Sequence, residues 1–173
     1  RLVTQALEAD LQREPFEVIA VEAQHELTLA TLPLRLRIDR IDRLASGARF
    51  IIDYKTGRAQ RREWELPRPL APQLPAYALA LDDLPVAGIA FSQLRPGDCR
   101  LVTEPQKFVD DAAAVATLTR LREDWHTELS ELAAQFVAGL AVLNPRDGAR
   151  TCQRCECQVL CRVHEVPQAV SDE

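Results

Sequence analysis

The sequence predicts an α/β domain with a mixed central β-sheet and helices on its faces, and three observations carry that reading. First, Leu34 to Gly57, LRLRIDRIDRLASGARFIIDYKTG, holds two strand signatures joined by a turn. Second, the pattern from Phe108 to Val142 is helical and free of proline. Third, helical and extended signatures are interspersed along the chain, in the order helix, three strands, helix, two strands, helix.

Taken in order, Thr4 to Arg13 carries Leu7 and Leu11 at i, i+4 and stops near Glu14-Pro15, as a helix end does. Phe16 to Leu32 alternates apolar and polar residues over much of its length and reads as one or two strands. Leu34, Leu36 and Ile38 then alternate with Arg35, Arg37 and Asp39, the period of a strand with one buried face. Ser46-Gly47 supplies a turn. Phe50-Ile51-Ile52-Asp53-Tyr54-Lys55 is apolar on both faces until its tip, which suits a central strand. Arg58 to Pro69 reads as a polar surface loop. Ala71 to Leu81 has Leu74, Ala78 and Leu81 at helical spacing, with Pro72 near the start, where it is tolerated. Val86 to Leu94 is an apolar strand, Pro96-Gly97 a turn and Arg100 to Thr103 a return strand. The final helix, Phe108 to Val142, has Asp110 and Asp111 near its start and Pro145 beyond its end. At about 35 residues it exceeds the usual length, so a bend is admitted.

Chemistry concentrates at the tip of the central strand. Asp53 and Lys55 are two apart, so both emerge on one face, and a hairpin brings Asp39 toward them. Two neighbouring carboxylates repel unless a positive charge sits between them, and a hard divalent cation with oxygen ligands is the common solution. A lysine beside it steadies charge developing on a phosphate. These are the parts of metal-assisted phosphodiester hydrolysis. The competing reading is an ion-paired patch at strand ends; the buried strand that delivers Asp53, and the second Asp a hairpin away, favour the site. Between Asp39 and Asp42 the choice is Asp39, because regular alternation puts Asp42 on the face of Leu34, Leu36 and Ile38. A bulge between them would reverse it.

At 173 residues with 47% hydrophobic content, the chain can bury one sizeable core. It contains no apolar run of membrane length and begins at Arg1, so the expectation is a soluble, cytoplasmic piece of a longer protein. Net charge is -5, but Arg35 to Arg68 contains ten Lys/Arg against five Asp/Glu, leaving -10 for the remainder. Basic charge therefore gathers around the proposed site, as a phosphate track would require, with Arg37, Arg40, Arg58, Arg61 and Arg62 as candidates. The plainer reading, a solvated face, stands level with it for Arg58, Arg61 and Arg62.

The segments Arg37-Ile38-Asp39-Arg40-Ile41-Asp42, Ile52-Asp53-Tyr54-Lys55-Thr56-Gly57 and Gln73-Leu74-Pro75-Ala76-Tyr77 resemble successive motifs of the PD-(D/E)xK nuclease superfamily. The resemblance is to its RecB-like and AddB-like exonuclease branch, which includes bacterial DNA repair nucleases. It implies a restriction-endonuclease-like core and Mg²⁺ or Mn²⁺ held by Asp39, Asp53 and the Tyr54 carbonyl, with Lys55 acting on the attacking water. DNA is the implied substrate, with a helicase subunit or helicase-like domain as partner. It also places Gln73 and Tyr77, which share a helix face, at the border of the site, although a core tyrosine with an exposed glutamine has the same spacing. Glu22 is a further ligand candidate, level with an exposed strand glutamate. The histidine that completes the metal shell in RecB-like nucleases has no counterpart before His25, which predicts weak metal binding and poor cutting by this chain. A non-catalytic DNA-binding or scaffold module that keeps the fold is the alternative.

Thr151 to Cys161, TCQRCECQVLC, packs four cysteines into a short tail, a density that favours metal ligation over disulfides in a reducing compartment. The expected division is a nuclease core over 1–145, lacking upstream elements, and a cysteine-rich tail over 146–173. Cys152, Cys155 and Cys161 resemble the C-terminal ligands of the AddB-like iron-sulfur cluster, a 4Fe-4S clasp whose fourth cysteine lies upstream. None precedes Cys99 here. Cys157 is the remaining candidate for the fourth position, for a cluster or for zinc, and a metal-free tail is the competing reading.

Overall fold

In the computed structural model, residues 2–81, 83–105, 111–153 and 155–161 are described. The chain enters through helix α1 (Leu2–Leu11) and runs into a long antiparallel hairpin, β1 (Phe16–Leu29) and β2 (Leu32–Leu44), turned at Ala30 with φ 52°. Strand β3 (Arg49–Lys55) continues the antiparallel order. A 3₁₀ turn at Arg61–Glu63 and helix α2 (Gln73–Ala80) then carry the chain over the sheet to β4 (Val86–Arg95), which lies parallel to β3 as a helical crossover requires. Strand β5 (Asp98–Glu104) returns antiparallel, giving a five-stranded mixed sheet in the order β1-β2-β3-β4-β5. The 27-residue α3 (Asp111–Val137) and two short turns of helix, α4 (Ala149–Cys152) and α5 (Gln158–Cys161), follow.

The order and type of the expected elements hold, and the sheet flanked by helices is the α/β architecture of a restriction-endonuclease-like fold. Helix α3 ends at Val137, short of the expected Val142, for a local reason. Gly139 has φ 71°, Leu140 N–H donates to the Gln135 carbonyl and Gly139 N–H to that of Phe136, the paired bonds of a Schellman stop. The expected start at Phe108 and Asp110, and the tail over 162–173, lie outside the described residues. Arg58 to Pro69 departs from a surface loop: Ala59 and Trp64 are buried, Trp64 packs on Phe91 in a tilted contact with ring centres 4.8 Å apart, and Trp125 of α3 donates to the Trp64 carbonyl.

The main core lies between the sheet and helices α2 and α3. Ile41, Ile51, Ile89 and Phe91 from the strands meet Leu74, Tyr77 and Ala78 of α2 and Leu118, Trp125 and Leu129 of α3. The opposite face holds a smaller cluster of Phe50, Ile52 and Ala90, beside which Arg13 lies with its guanidinium 4.6 Å from the Phe50 ring centre. Along β3, residues 51, 53 and 55 therefore face the two helices, and 50, 52 and 54 face the α1 side. No helix among the described residues is long and apolar enough to cross a membrane.

Candidate active site

Three buried apolar residues, Phe50 to Ile52, anchor β3 in the sheet, and the chain then presents Asp53 at 1% exposure. Pairing with β4 continues through Asp53↔Phe91, Tyr54↔Ser92 and Lys55↔Gln93. On the other edge the β2–β3 ladder ends at Arg40↔Ile52. One residue beyond, the Asp39 carboxylate replaces the backbone partner that β3 has lost: Tyr54 N–H donates to Asp39 Oδ2 at 2.9 Å.

Lys55 ties the strand tip to α2. Its Nζ lies 2.9 Å from Asp53 Oδ2 and donates to Gln73 Oε1 at 2.9 Å, while the Phe91 ring centre is 5.1 Å away. Gln73 Nε2 donates to the Tyr77 hydroxyl at 2.6 Å, and that hydroxyl donates to the Arg37 carbonyl at 2.6 Å. A continuous polar chain thus runs from Asp53 through Lys55, Gln73 and Tyr77 back to β2, two residues before Asp39. Burial raises the Asp53 pKa; the hydrogen bond and charge of Lys55 oppose it, and repulsion from Asp39 adds to it. Burial likewise raises Tyr77, Gln73 opposes it, and the charges of Asp53 and Asp39 push it further.

Asp39, Asp53, Tyr54, Lys55, Gln73 and Tyr77 are thus brought together. Glu22 lies across the hairpin from Asp39, between the pairs Val21↔Arg40 and Ala23↔Ile38, in the left-handed region at φ 50°. Its carboxylate is exposed and paired with Arg37 at 2.8 Å. Asp42 is fully buried on the α1 face, 2.7 Å from both Arg13 and Arg40. The strict alternation used to separate Asp39 from Asp42 does not persist, because Ile38 and Ile41 join the same core cluster. What separates the two acids is the β3 register, which opposes Asp42 to Phe50.

Arg40 requires a correction as a phosphate contact. It is 7% exposed and committed to Asp42, Asp10 and Tyr54 behind the sheet. Burial works against its charge, but the hydrogen bonds to Asp42, Tyr54 and Asp10 outweigh it, so its pKa is raised. Arg58 is exposed; Arg61 is half-buried and held by Glu104; Arg62 is half-buried, its carbonyl accepting from Arg146. Gln93 was not anticipated by sequence reasoning. Fully buried, it accepts from Ala59 N–H at 2.9 Å and donates to the Asp98 carbonyl at 3.0 Å, fixing the loop that leaves Lys55. A lone glutamine in an apolar strand run was its only sequence signal.

Asp39 and Asp53 are the side chains at this tip that could help to hold a divalent ion. Mg²⁺ retains several waters and needs only one or two carboxylates, and a buried carboxylate with a raised pKa beside a second acid is a group that gains from a cation. Among the described residues no three His, Cys, Asp or Glu come together to hold a metal ion. Asp39 and Asp53 therefore have no third acid, and the set of Cys152, Cys155, Cys157 and Cys161 is not assembled: all four are free thiols, with Cys155 and Cys157 exposed. An open depression of about 920 Å³ between Glu26, Leu79, Thr119 and His126 includes none of the site residues.

Comparison with known proteins gives a family. A sequence model described as the PD-(D/E)XK nuclease superfamily matches residues 1–162. Among solved structures, the crystal structure of SSO0001 aligns with a TM-score of 0.36 and 22% identity, over 72% of this chain and 57% of that one. The comparison with curated proteins finds no match.

Proposed function

This chain belongs to the PD-(D/E)XK nuclease superfamily, and we propose that it is the nuclease domain of a DNA repair or recombination protein of the RecB-like and AddB-like exonuclease branch. The observation that carries the reading is the junction at the tip of β3: a buried Asp53 paired with Lys55, and Asp39 locked to the intervening Tyr54 N–H. Asp39, Asp53 and the Tyr54 carbonyl are the groups that would hold Mg²⁺ or Mn²⁺, which supplies Lewis acidity toward the scissile phosphate and its attacking water. Lys55, fixed by Gln73 and Tyr77, orients that water and steadies the developing negative charge. The resemblance of the three motif segments to RecB-like and AddB-like nucleases is what suggests the branch, and with it a helicase partner and an iron-sulfur clasp.

Titration of Mn²⁺ into the domain and into Asp53→Ala tests the site. Binding should fall at least about tenfold in the variant, the loss of one charged ligand; equal affinity in both removes the proposal. The alternative is a DNA-binding or scaffold module that keeps the fold without cleavage. End-labelled linear DNA with Mg²⁺ separates the two, since binding without cleavage, unchanged by Lys55→Ala, selects the module.

A further inference from the structure

Behind the sheet, on the face opposite Lys55, a cluster of charges is buried where a core would ordinarily be apolar. Arg40 donates through Nε to Asp42 Oδ1 at 2.7 Å, through one terminal nitrogen to Asp42 Oδ2 at 3.1 Å, and through the other to Asp10 Oδ2 at 2.6 Å and the Tyr54 hydroxyl at 3.2 Å. Arg13 closes the group on Asp42 at 2.7 Å and Asp10 at 3.2 Å. Two arginines balance two aspartates. The buried charges are paired, so the arrangement is stable, but an apolar cluster would hold α1 as well or better. Stability alone does not account for it.

Geometry does. Tyr54 is the residue between Asp53 and Lys55, and it stands where β3 has lost its β2 ladder. Two side chains hold that edge: Asp39 takes the Tyr54 N–H and Arg40 takes the Tyr54 hydroxyl. Asp39 and Arg40 are adjacent on β2, so one dipeptide grips one residue of β3 at both its backbone and its ring. Fixing the ring on the α1 side fixes the pleat that sends Asp53 and Lys55 to the other side. We propose that the Arg40–Asp42–Asp10 cluster is a positioning device, which holds Tyr54 from behind the sheet and thereby keeps the Asp39 carboxylate set against Asp53. Asp10 makes α1 part of that device, although α1 contributes no group to the site itself. The inference rests on the metal-site reading of Asp39 and Asp53.

The test uses metal-free protein first. Amide hydrogen exchange at Tyr54 should accelerate about tenfold in Tyr54→Phe and in Asp10→Asn, the effect of weakening one hydrogen bond. Ile51 and Ile89 amides, in the core of the same strands, should keep their rates. Arg40→Lys should behave as Asp10→Asn does, because an ammonium cannot serve Asp42, Asp10 and Tyr54 in the fork geometry of a guanidinium. Mn²⁺ affinity should weaken in step with Tyr54 exchange in all three variants. Unchanged Tyr54 exchange in folded Tyr54→Phe and Asp10→Asn overturns the proposal, as does equal acceleration of Tyr54, Ile51 and Ile89, which marks a merely structural cluster. Failure of the parent to bind Mn²⁺ is a separate result: it overturns the metal-site reading and with it any function for the device.

Discussion

A carboxylate placed at 1% exposure beside a second acid is an electrostatic cost to the folded chain. Because burial holds the Asp53 pKa above its ordinary value, the native state binds this proton more tightly than the unfolded chain does. The associated stability is therefore full below the unfolded carboxylate range and is lost as pH rises through the raised native value. Asp53→Asn removes the charge while keeping the shape, so in metal-free protein at neutral pH it should melt a few degrees above the parent, and the gap should close in mild acid. Saturating Mn²⁺ should reverse the order, since only the parent gains from the ion, by about 2.7 kcal/mol at a hundredfold excess over its dissociation constant. Melting curves across pH with and without Mn²⁺ check both signs. The candidate residues that meet at the β3 tip could be picked out because their types and their strand and hairpin spacings follow regular periodicity. Arg40 was misread because a basic side chain next to a candidate ligand gives no sign of which face it takes. That depended on Asp10 and Arg13, about 30 positions earlier, supplying its partner and sealing Asp42.

At the scale of elements, periodicity revealed every strand and the long helices, while terminations and close approaches were legible only where a local signal was strong. Gly139 stops α3 by a pattern of bonds that the apolar run through Val142 concealed. Gly88 is a second case. It pairs with Phe50 across the parallel β3–β4 ladder, and the Phe50 ring lies over it where a side chain would stand. A Cβ there would meet Phe50 Cε2 at 2.3 Å and Cδ2 at 2.5 Å, and the ring cannot withdraw freely because it is buried among Ile52, Ala90 and the Arg13 guanidinium. Gly88→Ala should destabilise the domain by about 1–3 kcal/mol, the usual cost of overpacking. Phe50→Leu, destabilising in the parent, should recover part of that loss when combined with Gly88→Ala. Denaturant unfolding of the four proteins in a double-mutant cycle reads the coupling, and additive losses would show that the ring does not fill this space.

Over the whole molecule, the segment with five excess positive charges suggested a track for a polyanion, but the fold uses much of that charge internally. Arg40 is spent on Asp42 and Asp10, Arg61 on Glu104, Arg37 on Glu22, Arg43 on Glu17 and Lys55 on Asp53. Composition cannot show this, because four of those acids, Asp10, Glu17, Glu22 and Glu104, lie outside the basic segment and reach it only through α1, strand pairing and the β5 return. Among the described residues Arg35, Arg49, Arg58, Arg62 and Arg68 have no acidic partner, and Arg49 and Arg68 donate instead to the Gly47 and Asn144 carbonyls, which leaves Arg35, Arg58 and Arg62 for a polyanion. A surface of that kind should bind DNA weakly and locally. The slope of log affinity against log salt scales as about -0.9 per phosphate neutralised, so double-stranded DNA should give a slope near -3, whereas ten engaged basic residues would give about -9. Fluorescence anisotropy with labelled duplex over a salt series, in Ca²⁺ to suppress cleavage, measures it. Arg58→Ala should lower the slope by about one without changing sequence preference, as expected of a phosphate contact. A slope beyond about -6 would mean that the exposed pairs of Arg37 and Arg43 open on binding and that the track is wider than the free protein presents.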